Sequence, residues 1–524
     1  MNSVKIPFMK RKISAILILF FINSINAQSD GTLDTSFGTN GKVTSDIYGF
    51  ADEINGLAIQ SDDKVLAAGF CRTSVSNQDF CVTRYNVDGT LDTSFGTNGV
   101  VSLDIRDGNT KDDVAVAVLI QSDDKIILAG YTDANSSTSP YYFALVRLNS
   151  DGSKDNSYAT DGVLTFSFGD DAKAYNAIIQ DDNKVLIVGE LEGDSSKKKL
   201  FAVARIDATG SLDTEFSVDG KQTVNIGDSY DEAHAVAIES DKKIFIAGRG
   251  ENHMSIVKLT ESGDLDTSFN TNGIVTTDID GTEDGFRAVL PLGDDKILGI
   301  GVTYRGSNDR DLALIKYNAD GTIDTTFGTD GIIYTDIDNG SEDIVQSAIL
   351  QKNGKYLVSG SLYSNGTSYS FIIRYNSDGT LDTSFSSDGK VIVSYGSSFH
   401  SAKSILLQDD GKVLIGGKVG QDHSNTSDFA IARFNNQVLG VHKFDADLFS
   451  LNPNPTNHKL NIQSNLPINE YVIYDLKGRK VISEKMNSTS IKKTTIDVSK
   501  LNIGVYLIKL KSALSYSVVK FVKE

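Results

Sequence analysis

Short runs of alternating apolar and polar residues follow one another from about residue 30 to residue 435, and they come in recurring groups of four. In the first group the runs are "GLAIQ", "KVLAAG", "FCVTRYN" and "GVVSLDI". They are separated by the turn-forming strings "QSDDK" and "DGTLDTSFGTNG". Runs of this length, rich in Val, Ile, Tyr and Phe and bounded by Gly, Asp, Asn and Ser, predict β-strands. No stretch after the first thirty residues keeps a helical period.

The group repeats in register. The Asp of "LD" falls at Asp34, Asp92, Asp155, Asp213, Asp266, Asp324 and Asp382, with spacings of 58, 63, 58, 53, 58 and 58 residues. Seven units of four short strands predict an all-β, seven-bladed β-propeller, an architecture that leaves only short, protected sheet edges. Other columns hold the same register. A turn lysine (Lys64, Lys125, Lys184, Lys243, Lys296, Lys355, Lys412) is followed five residues later by Gly69, Gly130, Gly189, Gly248, Gly301, Gly360 and Gly417. Gly at such a place permits a bulge or a close backbone approach. An aromatic stands three residues after each "LD" Asp, from Phe37 to Phe385, and reads as a wedge in the core.

Blades converge on the axis of a propeller, so the innermost strand needs small residues. The run before "QSDDK" has them at Gly56, Ala117, Ala177, Ala235, Ala288, Ser347 and Ser404, and is expected to be the inner strand. The outer strand of the seventh unit is then missing, while "GKVTSDI" (Gly41 to Ile47) has no blade before it. The expectation is that this N-terminal strand closes blade seven. A basic column supports this: Arg84, Arg147, Arg205, Lys258, Lys316 and Arg374 each precede an "LD" Asp by eight residues. Arg433 has no such Asp after it, and Asp34 no such base before it. A charge-assisted bond Arg433 to Asp34 across the closure is therefore expected.

The 524-residue chain carries a net charge of −19, unevenly spread. The first 27 residues carry +4 and residues 448–524 carry +7, which leaves −30 between them. Such a middle region argues against nucleic acid or an anionic membrane as partner. A basic start, the apolar "ISAILILFFI" and "INAQ" read as a secretory signal peptide cleaved after Ala27, with no transmembrane segment left afterwards. Cys71 and Cys81 are the only cysteines. They flank a short loop, as a hairpin disulfide or as two buried thiols.

The repeat columns resemble the delta-60 repeat family of bacterial secreted proteins, with the signature "DG-LD-SFG-DG-V", over residues 30 to 435. The third copy departs most, with Lys154 and Tyr158 in "DGSKDNSYATDG". The resemblance implies the propeller fold and no activity. The C-terminal strings "LFSLNPNPTNHKLNI", "VIYDLKGRKV" and "IDVSKLNIGVYLIKL" resemble the type A sorting domain of the type IX secretion system of Bacteroidetes. The matching positions are Asn452, Pro453, Asn454, Pro455, Gly478, Gly504 and Tyr506. Read directly, this segment is a small Ig-like antiparallel sandwich. The resemblance implies handling by the type IX machinery and a secreted or outer-surface location after passage through the periplasm. The expected organisation is signal peptide 1–27, propeller 28–438 and linker 439–447, then the sorting domain 448–524. The propeller units are 30–87, 88–150, 151–208, 209–261, 262–319, 320–377 and 378–435.

Candidate chemistry is sparse. A column at the start of the inner strands, Asp52, Asp113, Lys173, Asp231, Asp284, Asp343 and His400, would ring one end of the channel. Its five carboxylates are candidates for a cation such as calcium, or for accepting backbone N–H bonds at a turn. The "DGTLDTSFG" loops lack the order of an EF-hand. The six histidines show no metal-ligand spacing, and His234 reads as a packed residue of an inner strand. No catalytic motif is present, so no enzyme is argued and no cofactor is required. The length-variable loops Tyr131 to Tyr142 and Glu190 to Phe201 share one face, where binding is expected. The reading is a monomeric, non-catalytic binding or adhesion scaffold for an extracellular glycan or protein. The alternatives are a secreted polysaccharide hydrolase or lyase, or a purely structural surface protein.

Overall fold

The computed structural model describes residues 29–74, 77–106, 112–133, 140–193, 198–227, 230–279, 284–306, 309–396, 399–420, 426–436, 449–464, 468, 470–475, 479–485, 493–511 and 516–524. The signal segment, the linker and Gly478 lie outside them. All the regular structure described is β, in two compact units, Met1–Gln437 and Val438–Glu524.

The first unit is a seven-bladed propeller of four-stranded antiparallel sheets. The first blade runs Asp52–Ile59, Val65–Ser74, Asn77–Tyr85, Val100–Leu103, from channel to rim. The seventh runs Phe399–Leu407, Val413–Gly420, Ser427–Phe434, and is completed by the N-terminal strand Lys42–Ser45. Lys42 pairs with Ala432 and Ser45 with Phe429, so the start of the chain supplies the last strand of the ring. Outer strands are only four residues long, which keeps each exposed edge short. The core lies between blades. Leu66, Ala68 and Val82 of blade one pack on Ala115, Val118 and Leu128 of blade two, and Leu414 and Ile431 of blade seven pack on Ile54 and Val65 of blade one.

Every inner strand carries a β-bulge at the same place. The extra residue is Asn55, Val116, Tyr175, His234, Arg287, Gln346 or Lys403. The bulge drives a carbonyl toward the second strand, directly at the glycine column. A Cβ on Gly69 would lie 1.9 Å from Glu53 O, and one on Gly417 1.8 Å from Ser401 O, with the other five between these and 2.1 Å. Only glycine fits, which is why each copy has it.

The bulge register corrects two sequence alignments in the third unit. Asn176, and not Ala177, stands in the small-residue column, pairing with Val188 as Gly56 pairs with Ala68. Lys173 lies in the row of Glu53, and Ala172 holds the strand-start position. Size alone was a poor guide here because the channel has room at the axis for the Asn176 side chain. Its Nδ2 donates to His234 O of the next blade, at 3.3 Å.

The repeated loop is a clasp between blades. Arg84 Nε donates to Asp92 Oδ2 at 2.8 Å, and its guanidinium sits 4.5 Å from the centre of the buried Phe95 ring. Its Nη1 reaches on to Ser150 O in the following unit. Arg147, Arg205 and Arg374 repeat the arrangement with Asp155, Asp213 and Asp382. The two lysine copies are looser, Lys258 to Asp266 at 3.7 Å and Lys316 to Asp324 at 3.5 Å. Turn lysines add a second cation, as Lys64 does to Asp92 at 3.0 Å and Lys412 to Asp34 at 2.9 Å.

The second unit is a two-sheet sandwich. Phe449–Asn452, Lys459–Ser464 and Lys493–Asp497 form one sheet. Lys480–Lys485, Glu470–Asp475, Gly504–Lys511 and Tyr516–Lys523 form the other. Leu460, Ile462, Ile473, Ile496, Ile508 and Phe521 fill the space between.

Candidate functional site in the propeller channel

The bulges decide what faces the axis. All seven bulge residues line a cavity of about 880 Å³ that runs along the inner strands to Phe70, Gln78, Tyr131 and Arg310. Those four residues lie where second strands end and third strands begin, the face of the length-variable loops.

One side of this wall is a continuous polar network. Lys199 Nζ lies 2.6 Å from Glu190 Oε2 and 2.9 Å from Glu232 Oε1, and Arg249 Nη2 lies 3.6 Å from Glu232 Oε2. Burial opposes the charge on Glu232, but Lys199 and Arg249 hold its carboxyl well below the usual range. Burial and the neighbouring Glu232 push Glu190 the other way. The His234 ring lies 4.9 Å from that of Tyr175, and its Nε2 is 2.7 Å from Arg287 Nη1. Arginine only donates, so Nε2 accepts and the imidazole keeps its proton on Nδ1. Burial and the Arg287 charge lower the His234 pKa to about 4, so the ring is neutral at ordinary pH. Burial likewise depresses Arg287 and raises the Tyr175 phenol. Across the channel, Glu53 is held below its ordinary value by Lys403 and Lys418, against the effect of burial.

The strand-start carboxylates do different work. Asp52, Asp113, Asp231, Asp284 and Asp343 are almost fully buried. Each takes a backbone N–H from the segment leaving the preceding outer strand: Ile47 to Asp52 at 2.9 Å, Ile105 to Asp113 at 2.7 Å, Ile226 to Asp231 at 2.7 Å, Ile279 to Asp284 at 3.3 Å and Ile337 to Asp343 at 2.9 Å. His400 does the same with Nδ1, accepting from Tyr395 N at 3.2 Å. Burial pushes Asp52 and Asp343 up to about 7 and Asp113 up to about 6, and raises Asp231 and Asp284. They accept turn N–H bonds at the step from one blade's outer strand to the next blade's inner strand. Asp343 comes together with Asp311 and Asp336, and Asp284 with His253 and Asp278, each trio having ligand atoms within 4.8 Å of one another.

Cys71 and Cys81 form a disulfide joining the second and third strands of blade one. Tyr141 and Tyr142 do not present free faces, since Lys173 Nζ lies 4.1 Å from the first ring and Arg106 4.9 Å from the second. Arg287, Glu232, Tyr175 and Lys199 escaped the sequence reading. The signal that would have found the cavity-lining bulge residues is the column nine residues before each turn lysine, which holds a different residue in every copy.

In the C-terminal unit, the motif residues converge on the last strand. Asn454 Nδ2 donates to Lys520 O at 3.1 Å while its Oδ1 accepts from Val522 N at 2.9 Å. Thr456 bonds Val522 and Glu524 through the backbone. The Tyr506 ring stacks on Phe521 at 5.6 Å, and Gly504 pairs with Lys523. The Asn452–Pro453 and Asn454–Pro455 peptides are cis.

Seven segments of the propeller match the model of a β-propeller domain of unknown function, DUF5122: residues 60–95, 121–158, 180–216, 239–269, 292–327, 351–385 and 408–437. Residues 450–524 match a secretion system C-terminal sorting domain. The chain is a DUF5122 repeat propeller with a type IX sorting domain. No curated protein matches this DUF5122 chain. Among solved structures, it is similar to virginiamycin B lyase from Staphylococcus aureus (12% identity, TM-score 0.42, covering 75% of this chain and 98% of that one). It is also similar to the polysaccharide lyase Uly1 (12%, 0.43, 78% and 96%) and to the β-propeller domain of the Trilobed protease from Pyrococcus furiosus (10%, 0.37, 73% and 94%). At these identities and scores the likeness assigns no activity. The sorting domain indicates export by the type IX system, to the medium or the outer surface.

Proposed function

We propose that this protein is an exported, non-catalytic binding module whose propeller channel takes up an extracellular ligand, reaching the outside by signal-directed entry into the periplasm and then the type IX route. The observation that carries the reading is the open, polar channel. A cavity of about 880 Å³ lined by Asn55, Tyr175, His234, Arg287, Gln346 and Lys403 is what a binding site requires and a purely structural ring does not. A hydrolytic reading draws less support. Glu190 and Glu232, the acidic pair beside the channel, are bridged by Lys199 and leave no free acid and base.

The test is a screen of the full secreted chain against arrays of polysaccharides and extracellular proteins, repeated with Val116→Trp, which fills the channel from a bulge position. Retained folding with loss of a hit in the variant supports the reading. A hit that survives V116W places binding elsewhere, and a well-folded protein with no hit favours a structural role.

A further inference from the structure

Of the cations that line the cavity among the described residues, Arg287, Arg310 and Lys403, one has no carboxylate partner. Glu53 is held by Lys403 and Lys418, Glu190 by Lys199, Glu232 by Lys199 and Arg249, and Glu342 by Arg310 at 3.1 Å. Arg287 makes no ion pair with a carboxylate among the described residues. Its Nη1 donates to the neutral His234, and its buried Nε has no hydrogen-bond partner. Glu232, whose charge reaches Arg287, is already shared between two other cations. A half-buried guanidinium whose Nε donor is buried and idle gains from an anion that meets it, and its planar fork matches a carboxylate or a sulfate.

The surroundings narrow the class. Arg287 comes from an inner-strand bulge and lines the cavity, with His234 on one side in the ring order and Gln346 on the other. His234 is fixed against Tyr175, and its Nε2 accepts from Nη1 and so orients the guanidinium. Phe70, which also lines the cavity, offers an apolar ring for the face of a sugar, while Tyr131 and Tyr175 pack beside Tyr141 and His234. The volume lies within the range of about 300–1,000 Å³ that encloses a small ligand.

We infer that the channel holds an anion-binding subsite in which Arg287, positioned by His234, grips the carboxylate or sulfate of an acidic saccharide. This deepens the binding reading above and rests on it. A neutral saccharide of the same size leaves the Arg287 fork unmet and binds more weakly.

Calorimetric titration of the full secreted chain with digalacturonate, with a sulfated galactose disaccharide and with uncharged galactobiose tests this. Binding of either acid at least about tenfold tighter than galactobiose is expected, since charge-assisted bidentate bonds are the strong ones. Which acid binds identifies the anionic group. In Arg287→Gln the acid loses at least about tenfold in affinity while galactobiose is unchanged. Lys242→Gln, on an exposed surface pair, binds like the parent. Should R287Q not fold, Arg287→Lys keeps the charge without the fork and is expected to give an intermediate loss. Equal affinity for acid and neutral sugars, or an unchanged R287Q, overturns the subsite and leaves channel binding standing. No binding of any of the three, while an array hit is still blocked by V116W, overturns the subsite alone. No binding together with no array hit overturns both.

Discussion

Arg433 Nε lies 2.8 Å from Asp34 Oδ2, joining residues 399 positions apart in the chain. The same guanidinium lies 4.4 Å from the centre of the Phe37 ring and donates through Nη1 to Val87 O of the next unit. One side chain thus fastens the last blade to the first strand and to the first blade. It is the clasp of Arg84 and Asp92 rebuilt from the two ends of the propeller.

Breaking this clasp should open the ring. Both side chains are buried, 4% and 5% exposed, and removing Arg433 leaves Lys412 as the remaining cation on Asp34. Arg433→Met is expected to cost about 2–3 kcal/mol through the lost charge-assisted hydrogen bonds. The looser Lys258 and Asp266, 3.7 Å apart, should matter less, so Asp266→Asn is expected to cost clearly less than R433M. Urea unfolding of the two variants checks the order, and equal losses would contradict the closure argument.

Two aspartate columns titrate in opposite directions. Hydrogen bonds from Ser36 and Lys412 and the charge of Arg433 outweigh burial and bring Asp34 down to about 2, and Thr326 and Lys296 bring Asp324 to about 2. Their stabilisation is present above the ordinary carboxylate pKa of about 4 and is lost as pH falls toward 2. Asp52 and Asp343, raised to about 7 by burial, bind protons in the folded state that the unfolded chain has released. Their contribution is full below about pH 4 and is lost as pH rises through 7. The melting temperature should therefore peak between about pH 4 and 6 and fall on both sides. A melting temperature that climbs steadily from pH 5 to 8 would show that the buried column stays ionised.

The glycines facing the bulges should tolerate nothing. Gly130→Ala sets a Cβ 2.0 Å from Val114 O, where the backbone itself must move, and is expected to cost about 3 kcal/mol or more. Gly49, at φ +77° with nothing within 4 Å of a Cβ, serves as the contrast. There Ala meets only backbone strain, at about 1–2 kcal/mol. Thermal melts of the two variants should separate, and comparable losses would mean that the bulged strand yields easily.

Export should depend on how the C-terminal strand is held. Asn454→Ala removes both side-chain bonds to the Lys520–Val522 segment and is expected to lower the melting temperature of the sorting domain and the fraction of protein reaching the medium or surface. Deleting residues 450–524 should abolish export altogether. Fractionation of cells and medium reads both, and undiminished export of the deletion would remove the domain's role.

The clasp was legible in the chain because the same constraint is written seven times. An eight-residue spacing between base and Asp recurs across each junction of successive units, so the unpaired Arg433 and Asp34 announced each other, and the orphan strand "GKVTSDI" had only one sheet to complete. The glycine column was legible for a like reason: each copy meets the same carbonyl, and no other residue fits. The strand-start aspartates showed their position but not their role, because a ring of acids and a set of turn acceptors read alike until the N–H of Ile47 or Ile226 is seen. The channel network was hidden altogether. Its side chains come from several strands, Tyr175, His234 and Arg287 from the bulge column that differs in every copy and Glu190, Lys199 and Arg249 from second and third strands, and its contacts join residues such as His234 and Arg287, 53 apart, through a bulge that shifts the count by one. Repetition along the chain determined the frame, since backbone geometry imposes one demand on every blade. The tertiary structure alone decided the site, since a channel's chemistry is the sum of seven different side chains brought to one axis.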